Sequence, residues 1–131
     1  MEDKALVRIA AEAKKHAYAP YSGFRVGAAL MTGGGKVYTG VNIENASYGA
    51  AVCAERVAVW KAVSEGETAF KTLAVVSDSD GYTCPCGICR QVLNEFGADM
   101  RILCANKALE YRAYTLKTLL PEAFAGRHLK G

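Results

Sequence analysis

Several things are missing from this chain of 131 residues, and each absence narrows the field. No apolar run approaches the ~20 residues a helix needs to cross a bilayer, so no membrane partner is expected. The start, Met1-Glu2-Asp3-Lys4, leads into an amphipathic stretch and lacks the apolar core of a secretion signal, which places the expected home in the cytoplasm. A basic stripe is also lacking: 16 Lys and Arg against 13 Asp and Glu leave a net charge of +3, but the cations are scattered, so a nucleic-acid polymer is not the expected partner. Histidine is nearly absent. His16 and His128 are the only two, neither accompanies a cysteine motif, and both read as surface or structural residues. There is no repeat, low-complexity segment or linker. With 51% hydrophobic and 22% charged residues, positions 1–131 read as one globular domain.

Cysteine is well represented, at positions 53, 84, 86, 89 and 104. A reducing compartment argues against a disulfide framework. The odd number and the tight cluster at 84–89 point to metal binding or catalysis.

The hydrophobic pattern gives the framework. Leu6, Ile9, Ala10, Ala13 and Ala17 at helical spacing predict a helix over 3–17, broken by Ala19-Pro20-Tyr21-Ser22-Gly23. Arg25 to Met31 and Val37 to Ile43 flank Gly33-Gly34-Gly35 and predict a hairpin. Cys53 to Val63 predicts a second helix, Leu73 to Val76 a buried strand, and Cys86 to Phe96 a third helix ended by Gly97. Arg101 to Ala105 and Tyr111 to Thr115 follow as strands. Leu116 to Leu120 is a short helix stopped by Pro121. Strands alternating with helices favour an α/β sheet covered by helices on its faces, with a parallel strand pair around the third helix.

The strongest signal is Cys53-Ala54-Glu55 combined with Pro85-Cys86-Gly87-Ile88-Cys89, each half opening a predicted helix. Cys86 and Cys89 share one helix face, and Cys53 can supply a third sulfur to the same tetrahedral ion. Thiolates suit zinc, and helix N-termini favour negative sulfur. Three protein ligands leave a fourth position for water, the mark of a catalytic zinc. Glu55 can face that position without ligating and move protons there as general acid and base. A first ligand followed by a non-ligand Glu, with Pro-Cys-x-x-Cys downstream, is the pattern of the zinc-dependent base deaminases. The competing reading is a closed structural site in which Cys84 completes four sulfurs. Pro85 opposes it by holding the chain extended and turning Cys84 away. Zinc with three thiolates has a net charge of −1, which opposes acidifying the water, so Arg56 is expected to hydrogen-bond a ligand sulfur. The alternative for Arg56 is a surface position.

These residues resemble the small homotetrameric cytidine deaminases. The likeness runs through nearly the whole chain: Tyr18-Ala19-Pro20-Tyr21-Ser22 with Phe24, Val26-Gly27-Ala28-Ala29-Leu30, Asn42-Ile43-Glu44-Asn45, Cys53-Ala54-Glu55-Arg56 and Pro85-Cys86-Gly87-Ile88-Cys89-Arg90-Gln91. It implies a three-layer α/β/α fold with a central mixed five-stranded sheet and one Zn2+ per subunit. The implied substrate is a free cytosine nucleoside, since relatives acting on polynucleotides or deoxycytidylate have His where this chain has Cys53. It further implies that Asn42 and Glu44 bind the sugar and that Phe24 packs against the base, with Tyr48 and the Ala54 backbone bordering the base pocket. Phe124 would reach into a neighbouring subunit of a homotetramer, making the active site composite. The bland alternatives are a simple turn at Asn42 and Glu44, a core Phe24, and a Phe124 folded over its own core. Cys84 departs from the family pattern. The nearest rival activity is deamination of another cytosine nucleoside such as blasticidin S, which the Asn42/Glu44 pair disfavours.

Overall fold

The β-hairpin around the three glycines is the start of a larger sheet. The computed structural model describes residues 1–130. Its helices are α1 (Asp3–Lys14), α2 (Ala54–Ser64), α3 (Gly87–Asn94) and α4 (Leu116–Leu119). Its strands are β1 (Val26–Thr32), β2 (Val37–Val41), β3 (Phe70–Ser77), β4 (Arg101–Ala105) and β5 (Tyr111–Thr115). Two 3-10 turns, Tyr48–Ala50 and Gly126–Lys130, complete the framework. Among the described residues, no helix is long and apolar enough to cross a membrane.

The strand order is β2-β1-β3-β4-β5. β3 and β4 run parallel around α3, and the other neighbours are antiparallel, so the sheet is mixed as expected. Alternate side chains of a strand face opposite ways. Ala29, Met31, Ala74, Val76 and Leu103 therefore meet Leu6, Val7 and Ala10 of α1 on one face. Ala28, Leu30, Leu73, Val75 and Ile102 meet Ala58, Val59 and Ala62 of α2, Leu93 of α3 and Leu116 of α4 on the other. Burial on both faces is why the central strands read as unbroken apolar runs.

Two glycines set how closely the helices approach. A methyl at Gly27 would overlap the Ala10 carbonyl oxygen and lie 2.7 Å from the Lys14 nitrogen, so α1 can rest on β1 only if position 27 has no side chain. A methyl at Gly40 would overlap the Ala54 carbonyl oxygen and lie 2.6 Å from the Ala58 nitrogen, which seats the first turns of α2 on β2.

Element ends differ from the sequence expectation where local hydrogen bonds compete. α1 stops at Lys14 instead of running to residue 17, because the chain swings away so that Tyr18 can bridge to Ile43. β2 ends at Val41: Asn42 still donates its backbone N–H to the Val26 carbonyl, but the Val26 amide turns to the Asn42 side chain instead of continuing the ladder. α3 is shorter at both ends than expected, with Cys86 as its N-cap. β3 is longer than Leu73–Val76, as the ladder with β1 carries on to Phe70.

Candidate active site

The N-termini of α2 and α3 converge on sulfur. Cys53 is the N-cap of α2 and Cys86 that of α3, both extended and neither with a side-chain capping bond. Cys89 lies in the first turn of α3. The three sulfurs sit within 4.8 Å of one another, with Cys53 and Cys86 at 3.8 Å. Tetrahedral zinc at a Zn–S length of about 2.3 Å separates its sulfurs by about 3.8 Å, so the trio fits the ion. Side-chain chemistry agrees. The Cys53 thiol is pulled down to about 5, first by a hydrogen bond from Cys89 and further by those from Arg56 and Cys86. Cys89 is pushed up by the same partnership and by burial. Without a cation, three sulfurs this close cannot all be thiolates.

The flanking loops are pinned. Ile43 pairs with Val52, the residue before Cys53. The Pro85 carbonyl, next to Cys86, accepts from Arg90 Nε at 2.7 Å, and Arg90 Nη1 also donates to the Leu119 carbonyl at 2.8 Å. Arg90 thus fastens the ligand loop to α4 and makes no bond to sulfur. Arg56 does: its Nη2 donates to Cys53 Sγ at 3.6 Å, and its guanidinium lies over the Trp60 ring. Its buried Nε has no partner, so this arginine gives up some solvation to stand beside the thiols.

Glu55, only 4% exposed, sits in the first turn of α2. Burial pushes its carboxyl up to about 7, and the charge of Cys53 adds to the shift. A carboxylate in that range can both accept and return a proton near neutral pH. Cys84 lies outside the sulfur trio, packed against the core beside Cys104, so the four-sulfur arrangement is not formed.

Beyond the end of β2, Glu44 is held in one orientation. Its Oε1 accepts from the Tyr21 and Ser22 amides at 3.0 and 3.1 Å, and its Oε2 accepts from Ser22 Oγ. Those bonds, Ser22 first, keep the carboxyl below its ordinary value and therefore charged. Glu44 and Tyr48 line a cavity of about 380 Å³ with Tyr21, Ser22, Asn45 and Ala51. Asn42 is not in that lining. Its amide clamps backbone instead, Nδ2 to the Phe24 carbonyl and Oδ1 from the Val26 amide, both at 2.8 Å. Phe24 is 42% exposed and is no core residue. Ala54 is fully buried at the start of α2, where backbone N–H groups have no partner within the helix.

Phe124 does not fold over its own core; it is 57% exposed. Sequence reasoning missed what holds it, namely Gln91 and Asn94 of α3 and the ring of His128. It also missed the Tyr21 and Ser22 amides that orient Glu44. Polar residues without periodic or motif spacing give no signal for such contacts. A further groove of about 470 Å³ runs between α2 and α3, away from the cysteines, where Trp60 and Val63 stand partly exposed.

The comparisons with known proteins agree with this geometry. A cytidine deaminase of Sporosarcina psychrophila is 45% identical over 130 residues, covering 98% of this chain and 96% of that one. A more distant relative, a blasticidin-S deaminase of Bacillus cereus, is 32% identical over 129 residues, covering 92% and 88%. The crystal structure of a cytidine deaminase from Burkholderia pseudomallei superposes with a TM-score of 0.91 at 45% identity, covering 95% of this chain and all of that one. The family described as the cytidine and deoxycytidylate deaminase zinc-binding region matches residues 1–105, a span holding the sulfur trio, Glu55 and Glu44, and the chain belongs to that family.

Proposed function

We propose that this protein hydrolyses the C4 amino group of free cytidine, and of 2′-deoxycytidine, to give uridine or deoxyuridine and ammonia, serving pyrimidine salvage in the cytoplasm. One observation carries the reading: three sulfurs spaced for one tetrahedral ion, with Glu55 buried against them and Cys84 elsewhere. Cys53, Cys86 and Cys89 would hold the zinc, and Arg56 would offset their charge. Zinc, when bound, is a Lewis acid that makes water nucleophilic near neutral pH.

Glu55 does the proton work. It accepts a proton from the attacking water and delivers it to N3 of the cytosine as the water oxygen bonds to C4. It then takes the proton of the new C4 hydroxyl and passes it to the amino nitrogen of the tetrahedral intermediate. The C4–N bond breaks, ammonia departs and the C4 carbonyl of uracil remains. Acceleration comes from binding that is stronger to the tetrahedral species, so a hydrated pyrimidine analogue should inhibit far better than cytidine binds.

Glu44 is the ribose anchor, accepting from a sugar hydroxyl, and its fixed negative charge disfavours a 5′-phosphate there. Asn42 keeps one Nδ2 hydrogen for the same sugar. Phe24 packs against the base, bordered by Tyr48 and the Ala54 backbone. The active site is composite within a homotetramer, with Phe124 supplied by a neighbour. The outward Phe124 and the exposed Trp60 and Val63 support that assembly.

The direct test is the ultraviolet change of cytidine to uridine. Turnover should stop with a zinc chelator and return with zinc. Absence of cytidine turnover by the zinc-loaded protein, or a preference for blasticidin S in a substrate panel, would overturn the assignment. At cytidine well below KM, mixing Glu55→Ala with Phe124→Ala subunits should restore activity above that of either alone if sites are shared between subunits.

A further inference from the structure

We propose that Gln91 is a positioning residue: from α3 it holds Phe124 outward, so that the helix supplying two sulfurs to its own subunit's site also aims the aromatic that completes a neighbour's. The proposal rests on the composite-site reading above.

An exposed phenylalanine near a chain end would ordinarily move freely. This one is built into place. The Phe124 carbonyl accepts from Gln91 Nε2 at 2.9 Å and, more weakly, from Asn94 Nδ2 at 3.4 Å. The Phe124 ring stacks on His128, centroids 5.5 Å apart and planes 21° apart. His128 Nδ1 in turn lies 3.0 Å from the Ala125 amide nitrogen. Glu122, just before, has φ 53°, a left-handed turn that is unfavourable for a residue with a Cβ. Backbone bonds, a ring stack and a strained turn all fix the segment, yet the phenyl group they surround is left 57% exposed. Within this subunit the ring stacks on His128 and joins no core cluster. Such fixing lowers the entropy lost when the ring enters a pocket elsewhere, which is what preorganisation does for binding.

Gln91 is exposed, two residues beyond Cys89, and touches no sulfur, so its effect should be separable from metal binding. Phe124→Ala should raise KM for cytidine about tenfold. Gln91→Ala should raise KM about three- to tenfold with kcat and zinc content unchanged. The double variant should be no worse than Phe124→Ala alone, because Gln91 has nothing left to position. Gln91→Lys, which keeps a donor for the carbonyl, should recover part of the loss.

Mixed assemblies fix the direction. Gln91→Ala should impair recovery when placed in the Glu55→Ala subunits that donate Phe124, and should have no effect in the Phe124→Ala subunits that receive it. Loss in the receiving subunits, a normal KM for Gln91→Ala, or fully additive losses would overturn the positioning role alone. A normal KM for Phe124→Ala would overturn the composite site and this proposal together.

Discussion

Helices α1 and α2 rest on opposite faces of the β1–β2 hairpin, each admitted by one glycine, Gly27 under α1 and Gly40 under α2. From there the two sides diverge. The first turn of α1 carries Asp3, paired with Arg101 at 2.8 Å, and the helix lays Leu6, Val7 and Ala10 on apolar strands. Its far end leads to an ion-pair cluster in which Asp78 meets Lys14 and Arg25. The first turns of α2 and α3 carry sulfur and a buried carboxylate instead. The same packing device thus serves stability on one face and chemistry on the other. What separates them is which groups occupy helix N-termini, where unpaired N–H groups favour anions.

The largest loss is expected at Glu55. Glu55→Gln should cut kcat by about 10⁴-fold, the upper range for a general acid and base, while metal analysis still finds one zinc per subunit. The sharpest contrast is between the glycines. Gly27→Ala and Gly40→Ala should each cost about 3 kcal/mol in urea unfolding, since backbone must move on either face. Only Gly40→Ala, which shifts Cys53 and Glu55 with α2, should also lower kcat of the folded, zinc-loaded protein, by about 10²-fold.

Asp78→Asn should cost about 1 kcal/mol after solvent screening and leave kcat unchanged. Hydrogen bonds from Arg25, then Lys14, hold the Asp78 carboxyl below its ordinary 3.8. Its contribution is therefore present above that pH and lost as the pH falls below it, so the parent and Asp78→Asn should converge in stability in strong acid. Cys84→Ala should be as mild. Zinc stoichiometry and kcat should both be unchanged, with about 1 kcal/mol lost from packing; loss of zinc would restore the four-sulfur site.

Much of this was readable in the chain. All five strands and four helices were anticipated to within a few residues, because apolar period and Gly or Pro breaks act locally. The sulfur trio was readable because Cys86 and Cys89 are fixed by helix geometry and Cys53 opens a helix of its own. The roles within the Asn42/Glu44 pair were less so. Both are expected at the sugar; the structure adds that Asn42 also clamps the backbone of residues 24 and 26, while Glu44 lines the cavity. Nothing in Asn-Ile-Glu separates these roles, since each depends on partners 16 to 23 residues away. Arg90, adjacent to a ligand in sequence, is spent on the carbonyls of Pro85 and Leu119.

The sequence alone determined the layer pattern, the donor chemistry and the presence of a carboxylate beside the metal ligands. Those follow from side-chain type and spacing within single helices and strands. Only the tertiary structure decided how closely Cys53 and Cys86 approach, what Cys84 packs against, and which side chains hold Phe124. The physical reason is that such choices depend on how closely helices seat on the sheet and on which distant carbonyls a polar side chain reaches, and neither quantity exists until the layers have packed.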